Sequence, residues 1–303
     1  MQVNQRTLKT RYTFSGKGLH TGKVSTMVLN PAPADYGIRF VRTDIGPDAV
    51  VEALADRVSD TSRSTTLTQG ETSVHTVEHI LSALTGLGID NARIEIDNIE
   101  VPILDGSAKP YVEAIGPDGV QEQEAPRRCV SLPAPVEVRD EKTGSFIRIE
   151  PADELSIDLK VDFNSRVLGV QEAHYDAGTD YAREIGVCRT FVFFHEIAYL
   201  FQNNLVKGGD VDNAIVIVEH PAEPQQLQQM AALFNVPMLD VTPEGYLSNL
   251  TLRFPNECAR HKLLDLIGDL RLAGGFLKAK VTAYKPGHAL NTAAARAVRE
   301  TLK

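Results

Sequence analysis

Apolar and polar positions alternate along several short stretches of the chain, and elsewhere they repeat with the period of a helix. Ala92, Ile94 and Ile96 alternate with Arg93, Glu95 and Asp97, and Ile157, Leu159, Val161 and Phe163 alternate with Ser156, Asp158, Lys160 and Asp162. Period two predicts half-buried strands. Apolar-rich runs at 24–29 and 38–41, separated by Pro31, Pro33 and Gly37, predict two more, and 64–67 and 72–74 flank a turn at Gln69-Gly70. Val77, Ile80, Leu81 and Leu84 follow i, i+3, i+4, i+7 spacing before Gly86 and Gly88, which predicts a helix capped by Thr76. A shorter helix is expected over 110–115. Further on, a strand at 191–194, a helix at 195–200 and a strand at 214–218 make a compact βαβ pattern. A long helix at 259–272 and a strand at 279–284 lead through Lys285-Pro286-Gly287 to His288.

The order of elements occurs twice. Each half runs from strands to a helix carrying His and a carboxylate, then to another strand: compare TVEHILSAL at 76–84 with ARHKLLDLI at 259–267. We expect an α+β protein of two similar domains, each a sheet with packed helices, layered sheet–helix–helix–sheet. The boundaries are 1–120, a linker at 121–133 where QEQEAPRR lacks periodicity, and 134–303 with a βαβ insert at about 187–218. A prior of ~150 residues per domain fits a chain of 303.

Composition narrows the function. The net charge of −9 argues against a nucleic-acid binder, since phosphate contacts need a basic surface. No apolar run reaches the ~20 residues of a membrane span, and the N-terminal residues hold no signal-peptide core. A cytoplasmic protein is expected. Cys129, Cys188 and Cys258 are scattered and form no C-x-x-C pair, so they read as small core residues, and any metal is left to His and carboxylate.

The helix at 259–272 carries the most chemistry. At about 100° per residue, His261, Asp265 and Asp269 fall within a sector of roughly 80°, opposite Leu263, Leu266 and Leu270. His and Asp one turn apart can bind one zinc ion, or they can form an ordinary ion pair on a solvated face. In the first half, His75-Thr76-Val77-Glu78-His79 spells the H-x-x-E-H pattern of a metalloprotease family. With Thr76 as N-cap, His75 falls outside the helix, and an exposed loop histidine is the plainer reading. A zinc peptidase using that motif and a non-catalytic binding module both stay open on these residues.

Several motifs occur in one order: GKGLHTG at 16–22, TVEHILSALTGLGIDN at 76–91, VPILDGSA at 101–108, CRTF at 188–191, GGDVDNAIV at 208–216, RHKLLDLIGDL at 260–270 and KPGHALN at 285–291. Together they closely resemble the UDP-3-O-acyl-N-acetylglucosamine deacetylases, zinc amidohydrolases of lipid A synthesis. The resemblance runs from about residue 5 to 291, except for 222–248, a loop region longer than in many relatives.

The resemblance implies one zinc ion on His79, His261 and Asp265, with Fe(II) an alternative for two histidines and a carboxylate. It implies Glu78 as general base and His288 as the second catalytic group. Asp269 would orient His288 and keep it protonated, and the Thr190 hydroxyl would contact the oxyanion. His20, Lys262, Lys285 and Phe191 fall at positions near the substrate, an acylated UDP-amino sugar. The resemblance also makes the βαβ insert an apolar passage for the acyl chain, which Phe191, Phe193, Phe194 and Ile197 would line. Because the protein is acidic and the substrate anionic, basic residues are expected to gather locally.

Overall fold

A computed structural model of the chain describes residues 3–202 and 206–302. Two open sheets share one connectivity. In the first, the spatial order is Tyr12–Lys17, Val24–Pro31, Ala92–Ile96, Ile38–Arg42 and Val50–Glu52. In the second it is Val136–Asp140, Ser145–Pro151, Phe276–Tyr284, Ser156–Asp162 and Val170–Tyr175. Across each sheet the successive ladders are antiparallel, antiparallel, parallel and antiparallel. A short sixth strand, Cys129–Ser131, joins the second sheet parallel to Phe276–Tyr284.

Seven α-helices are present among the described residues: α1 Glu78–Gly86, α2 Lys109–Ile115, α3 Tyr181–Glu184, α4 Phe194–Gln202, α5 Pro224–Leu233, α6 Glu257–Leu270 and α7 His288–Glu300. None is long and apolar enough to cross a membrane. Helices α1 and α2 flank the central strand of the first sheet as α6 and α7 flank that of the second. Each half also carries an extra segment between its fifth strand and its first core helix. In the first half this is a three-stranded sheet, Val58–Asp60, Thr66–Gln69 and Thr72–Val74. In the second it contains the βαβ unit, in which Phe191–Phe193 and Ile215–Ile217 pair in parallel around α4. The α+β class and the two-fold repetition of the unit are therefore as expected.

One hydrophobic core takes the inward faces of both sheets and the facing sides of α1 and α6, including Ile94, Ile96, Ile147, Ile149, Leu81 and Leu264. The two helices meet backbone to backbone. A Cβ on Gly268 of α6 would lie 2.0 Å from the Glu78 carbonyl oxygen and 3.1 Å from the Ser82 nitrogen of α1. Only a residue without a side chain allows that approach.

Several expectations are corrected. The residues 121–126 are not a featureless linker: Val120–Pro126 is a strand antiparallel to Asn4–Leu8, using a polar alternation that carries little apolar signal. The region 222–248 contains α5, with a capping box at Glu223 and Gln226. His288, reached through 285–287, opens α7, a helix absent from the sequence-based expectations, whose alanine-rich sequence favours helix. Thr76 does not cap α1. The N-cap is Val77, and Thr76 has φ 60°, with its hydroxyl donating to Ser64 Oγ and Glu100 Oε1. Cys188 and Cys258 are buried, but Cys129 is exposed.

Gly268→Ala should be more disruptive than an ordinary glycine replacement in a helix. Overpacking of a tight contact costs about 1–3 kcal/mol, well beyond the gain in helix propensity. We expect a lower urea midpoint with an unchanged slope. A midpoint at or above wild type would show that the two helices separate freely.

Candidate metal centre and active-site cavity

Helices α1 and α6 bring His79, His261 and Asp265 together, with one candidate ligand atom from each lying within 4.8 Å of the others. All three residues are buried. Asp265 Oδ1 lies 3.3 Å from His261 Nε2 and 3.6 Å from His79 Nε2, yet it has no hydrogen-bond partner. Its other oxygen accepts from Lys262 Nζ at 2.9 Å. A buried carboxylate oxygen left unpaired is costly, and a cation between it and the two imidazoles would satisfy it.

The protonation states suit a metal. Burial pushes His261 down to about 3, so its ring is neutral at ordinary pH. Its Nδ1–H donates to the Cys188 carbonyl at 3.1 Å, which directs the Nε2 lone pair to the cluster. Burial works against the charge on Asp265, but His261, Lys262 and His79 outweigh it and hold the carboxyl well below its usual range. Two imidazole nitrogens and one carboxylate oxygen form the donor set of an open, hydrolytic metal site.

Glu78 and His288 stand next to this group. His288 Nε2 lies 3.9 Å from Glu78 Oε1, and its Nδ1–H donates to Asp269 Oδ2 at 3.0 Å. Burial pushes the imidazole down, but Asp269 and Glu78 overcome it and raise the pKa to about 9. Burial raises the Glu78 carboxyl. Asp269 also accepts from Asn291 Nδ2 at 2.9 Å and from Thr65 Oγ1 at 2.5 Å, while the Thr65 N–H donates to Glu78 Oε2 at 3.0 Å. Thr65 thus holds both carboxylates.

A cavity of about 730 Å³ is lined by His20, Thr190, Phe191, Lys262, Lys285 and His288. Sequence reasoning had named all six. Arg63 also lines it, but so do Asp140 and Asp210. Lys262 is paired with Asp265, and Lys285 with Asp162 at 3.2 Å. The expected concentration of positive charge is thus partly offset by ion pairs. Of the four apolar residues expected to line a passage, Phe191 and Ile197 do so. Phe193 packs instead against Phe163, with ring centroids 6.2 Å apart, and Phe194 belongs to a neighbouring cavity. His75 stands outside the metal-competent group, in a bridge to Glu100, so the literal H-x-x-E-H ligand pair does not form.

Several supporting residues went unnoticed in the sequence. Arg189, beside Thr190, forms a buried two-pronged ion pair with Glu257 at the start of α6, at 2.9 and 3.1 Å. Glu100 accepts from the backbone N–H groups of His20 and Thr21 at 2.9 and 2.8 Å, which shapes the loop carrying His20. Arg189 and Asn291 lie inside the motifs CRTF and KPGHALN, which was the available signal. Thr65, Glu100 and Glu257 act through tertiary contacts that no local pattern marks.

The donor set, the adjoining buried carboxylate and the imidazole define the class of site found in metal-dependent hydrolases. Comparison with known proteins narrows this. The model of the UDP-3-O-acyl N-acetylglycosamine deacetylase family matches residues 5–241 and 222–300. A Myxococcus xanthus protein named UDP-3-O-acyl-N-acetylglucosamine deacetylase is 43% identical over 290 residues, 95% of this chain and 84% of its own length. A protein of Anaeromyxobacter sp. with the same name is 43% identical over 296 residues, 97% of this chain and 88% of its own. The bifunctional enzyme LpxC/FabZ of Porphyromonas gingivalis is 42% identical over 299 residues, 99% of this chain but 65% of its own length. The chain therefore spans just under two thirds of the bifunctional relatives. It belongs to the UDP-3-O-acyl N-acetylglycosamine deacetylase family.

Metal content tests the ligand set. His261→Ala and Asp265→Ala should lose stoichiometric metal, while His75→Ala should keep it, as read by elemental analysis of folded, gel-filtered protein. Metal retained in His261→Ala and lost in His75→Ala would return the assignment to the H-x-x-E-H reading.

Proposed function

We propose that the chain is a zinc-dependent deacetylase that hydrolyses the N-acetyl group of UDP-3-O-acyl-N-acetylglucosamine, releasing acetate and UDP-3-O-acyl-glucosamine, an early step of lipid A synthesis. The observation that carries this reading is the orphaned Asp265 oxygen facing two imidazoles, with Glu78 and His288 beside it. The family relationship supplies the substrate. Two nitrogens and one oxygen suit zinc, and Fe(II) accepts the same donors. The reading places the reaction in the cytoplasm, and three unpaired cysteines accord with a reducing compartment.

His79, His261 and Asp265 would hold a divalent ion, which would supply Lewis acidity toward water and the amide carbonyl. The remaining work falls to the chain's own groups. Glu78 is fixed at Oε2 by the Thr65 N–H, and its raised pKa makes it a stronger base. It takes a proton from the attacking water. The Thr190 hydroxyl donates toward the charge that develops on the carbonyl oxygen. His288, kept protonated through Nδ1 by Asp269, delivers the Nε2 proton to the departing amine. Water and amide thus become acetate and amine with no redox partner. Arg63, Lys262 and Lys285 face the cavity where the diphosphate would lie, and His20 and Phe191 complete the same wall.

Glu78→Gln should keep its metal and lose about 10²–10⁴-fold in kcat, and His288→Ala likewise. The alkaline limb of kcat/KM in the wild type should lie above the ordinary histidine value and below about 9, because a bound dication opposes the proton that Asp269 favours. Asp269→Asn should move that limb to lower pH. Near-wild-type turnover in Glu78→Gln or His288→Ala, or a limb unmoved in Asp269→Asn, would overturn these roles.

Val192, Ile197, Leu200, Val216 and Phe234 line the same cavity as His288. Burying an acyl chain there gains roughly 0.8 kcal/mol per CH₂, part of which can place the amide for reaction. We expect a much higher kcat/KM for the acylated sugar nucleotide than for the same compound without its acyl chain. Equal values would reduce the insert to core packing.

A further inference from the structure

A second cavity of about 480 Å³ lies against the same insert, and Ile197 of α4 lines both cavities. The same segments contribute to both. Val192 and Val216 face the first cavity, while Phe194 and Val218, two residues further along, face the second. Val192 lies in the strand Phe191–Phe193 and Phe194 opens α4, while Val216 lies in the strand Ile215–Ile217 and Val218 directly follows it, so the lining passes from the first cavity to the second at the ends of both strands. Helix α5 repeats the step: Phe234 lines the first cavity and Met230 the second. The Phe234 N–H donates to the Met230 carbonyl, so these two residues stand one helical turn apart, about 6 Å. Three segments thus pass from lining the first cavity to lining the second. Ile197, Val218 and Met230 belong to one buried apolar cluster, whereas the rim of the second cavity is polar, with Glu219, His220 and Gln229.

We propose that α5 adds a second chamber to the acyl passage, and that the Ile197 side chain is the partition that sets the longest acyl chain accepted. This rests on the deacetylase reading above. In the wild type, the chain fills the first chamber and stops at Ile197. Removing that side chain connects the chambers, and the chain then continues along the Phe194–Val218 face beneath Met230.

The test is kcat/KM across substrates whose 3-O-acyl chain lengthens two carbons at a time, with melting curves confirming folded protein. In the wild type, kcat/KM should rise about four-fold per methylene buried and then stop rising. Ile197→Ala should carry the rise to longer chains, with Ile197→Val shifting it less in the same direction. Adding Met230→Trp to Ile197→Ala should return the limit toward wild type by filling the second chamber. An unchanged limit in active Ile197→Ala and Ile197→Val, or a double variant that keeps the extended limit, would overturn the two-chamber proposal and leave the deacetylase reading standing. Absence of turnover on any acylated substrate by the metal-loaded wild type would overturn that reading and the proposal with it.

Discussion

The site exists because α1 and α6 touch at Gly268. That contact brings the Glu78 backbone to the spot where a side chain would otherwise stand. The residues that matter flank it. Glu78 and His79 open α1, while Asp265 and Asp269 lie three residues before and one residue after Gly268 on α6. An ordinary helix pair packs with axes 8–10 Å apart, and any residue larger than glycine here would push the two helices apart. The metal-competent triad draws from both helices, so such a shift would open it directly. Tyr181 supports the same geometry from the other side, with its hydroxyl 2.7 Å from Ser82 Oγ on α1.

Within that contact, two aspartates one turn apart have different surroundings and so different work. Asp265 faces two imidazoles with one oxygen and has nothing else to satisfy it. Asp269 has both oxygens engaged, by Thr65 on one and by Asn291 and His288 on the other. In the proposed reading, one carboxylate is thereby left for a metal, and the other holds a proton on His288. Glu78, with its raised pKa, sits between these two charge systems. On the proposed mechanism, environment alone separates the base Glu78 from the acid His288, the pattern that lets carboxylates and imidazoles run opposite proton transfers at one pH.

What could be read in advance follows from where the information lies. The strands at 92–96 and 156–162 were legible because one face is buried and the other wet, which writes a period of two into the sequence. Helices α1 and α6 were legible for the analogous reason at a period of 3.6. The strand Val120–Pro126 was not, because only its partner Asn4–Leu8, more than a hundred residues away, defines it. Helix α7 was hidden by its small residues, since alanine favours helix without marking an apolar face. Thr76 shows a limit of local rules. Its hydroxyl suits an N-cap, but Glu100 and Ser64 hold it in a left-handed conformation elsewhere. The candidate site residues could be named through ordered motifs, whereas Thr65, Glu100 and the Arg189–Glu257 pair could not, because their partners are assembled only by folding.

The repeated sheet connectivity explains why the cavity has two unlike walls. Each half places its added segment at the same point, between the fifth strand and the core helix. The two core helices pack together, and the two segments line one cavity. The first contributes Thr61, Ser62 and Arg63, and the second contributes Val192, Ile197 and Val216. Polar groups capable of holding phosphate thus stand beside an apolar surface capable of holding a hydrocarbon chain. The scaffold fixes where the segments meet, and their different compositions fix what each can hold. A ligand with a charged head and an apolar tail can engage both within one cavity, which His288 and Lys262, the partner of Asp265, also line.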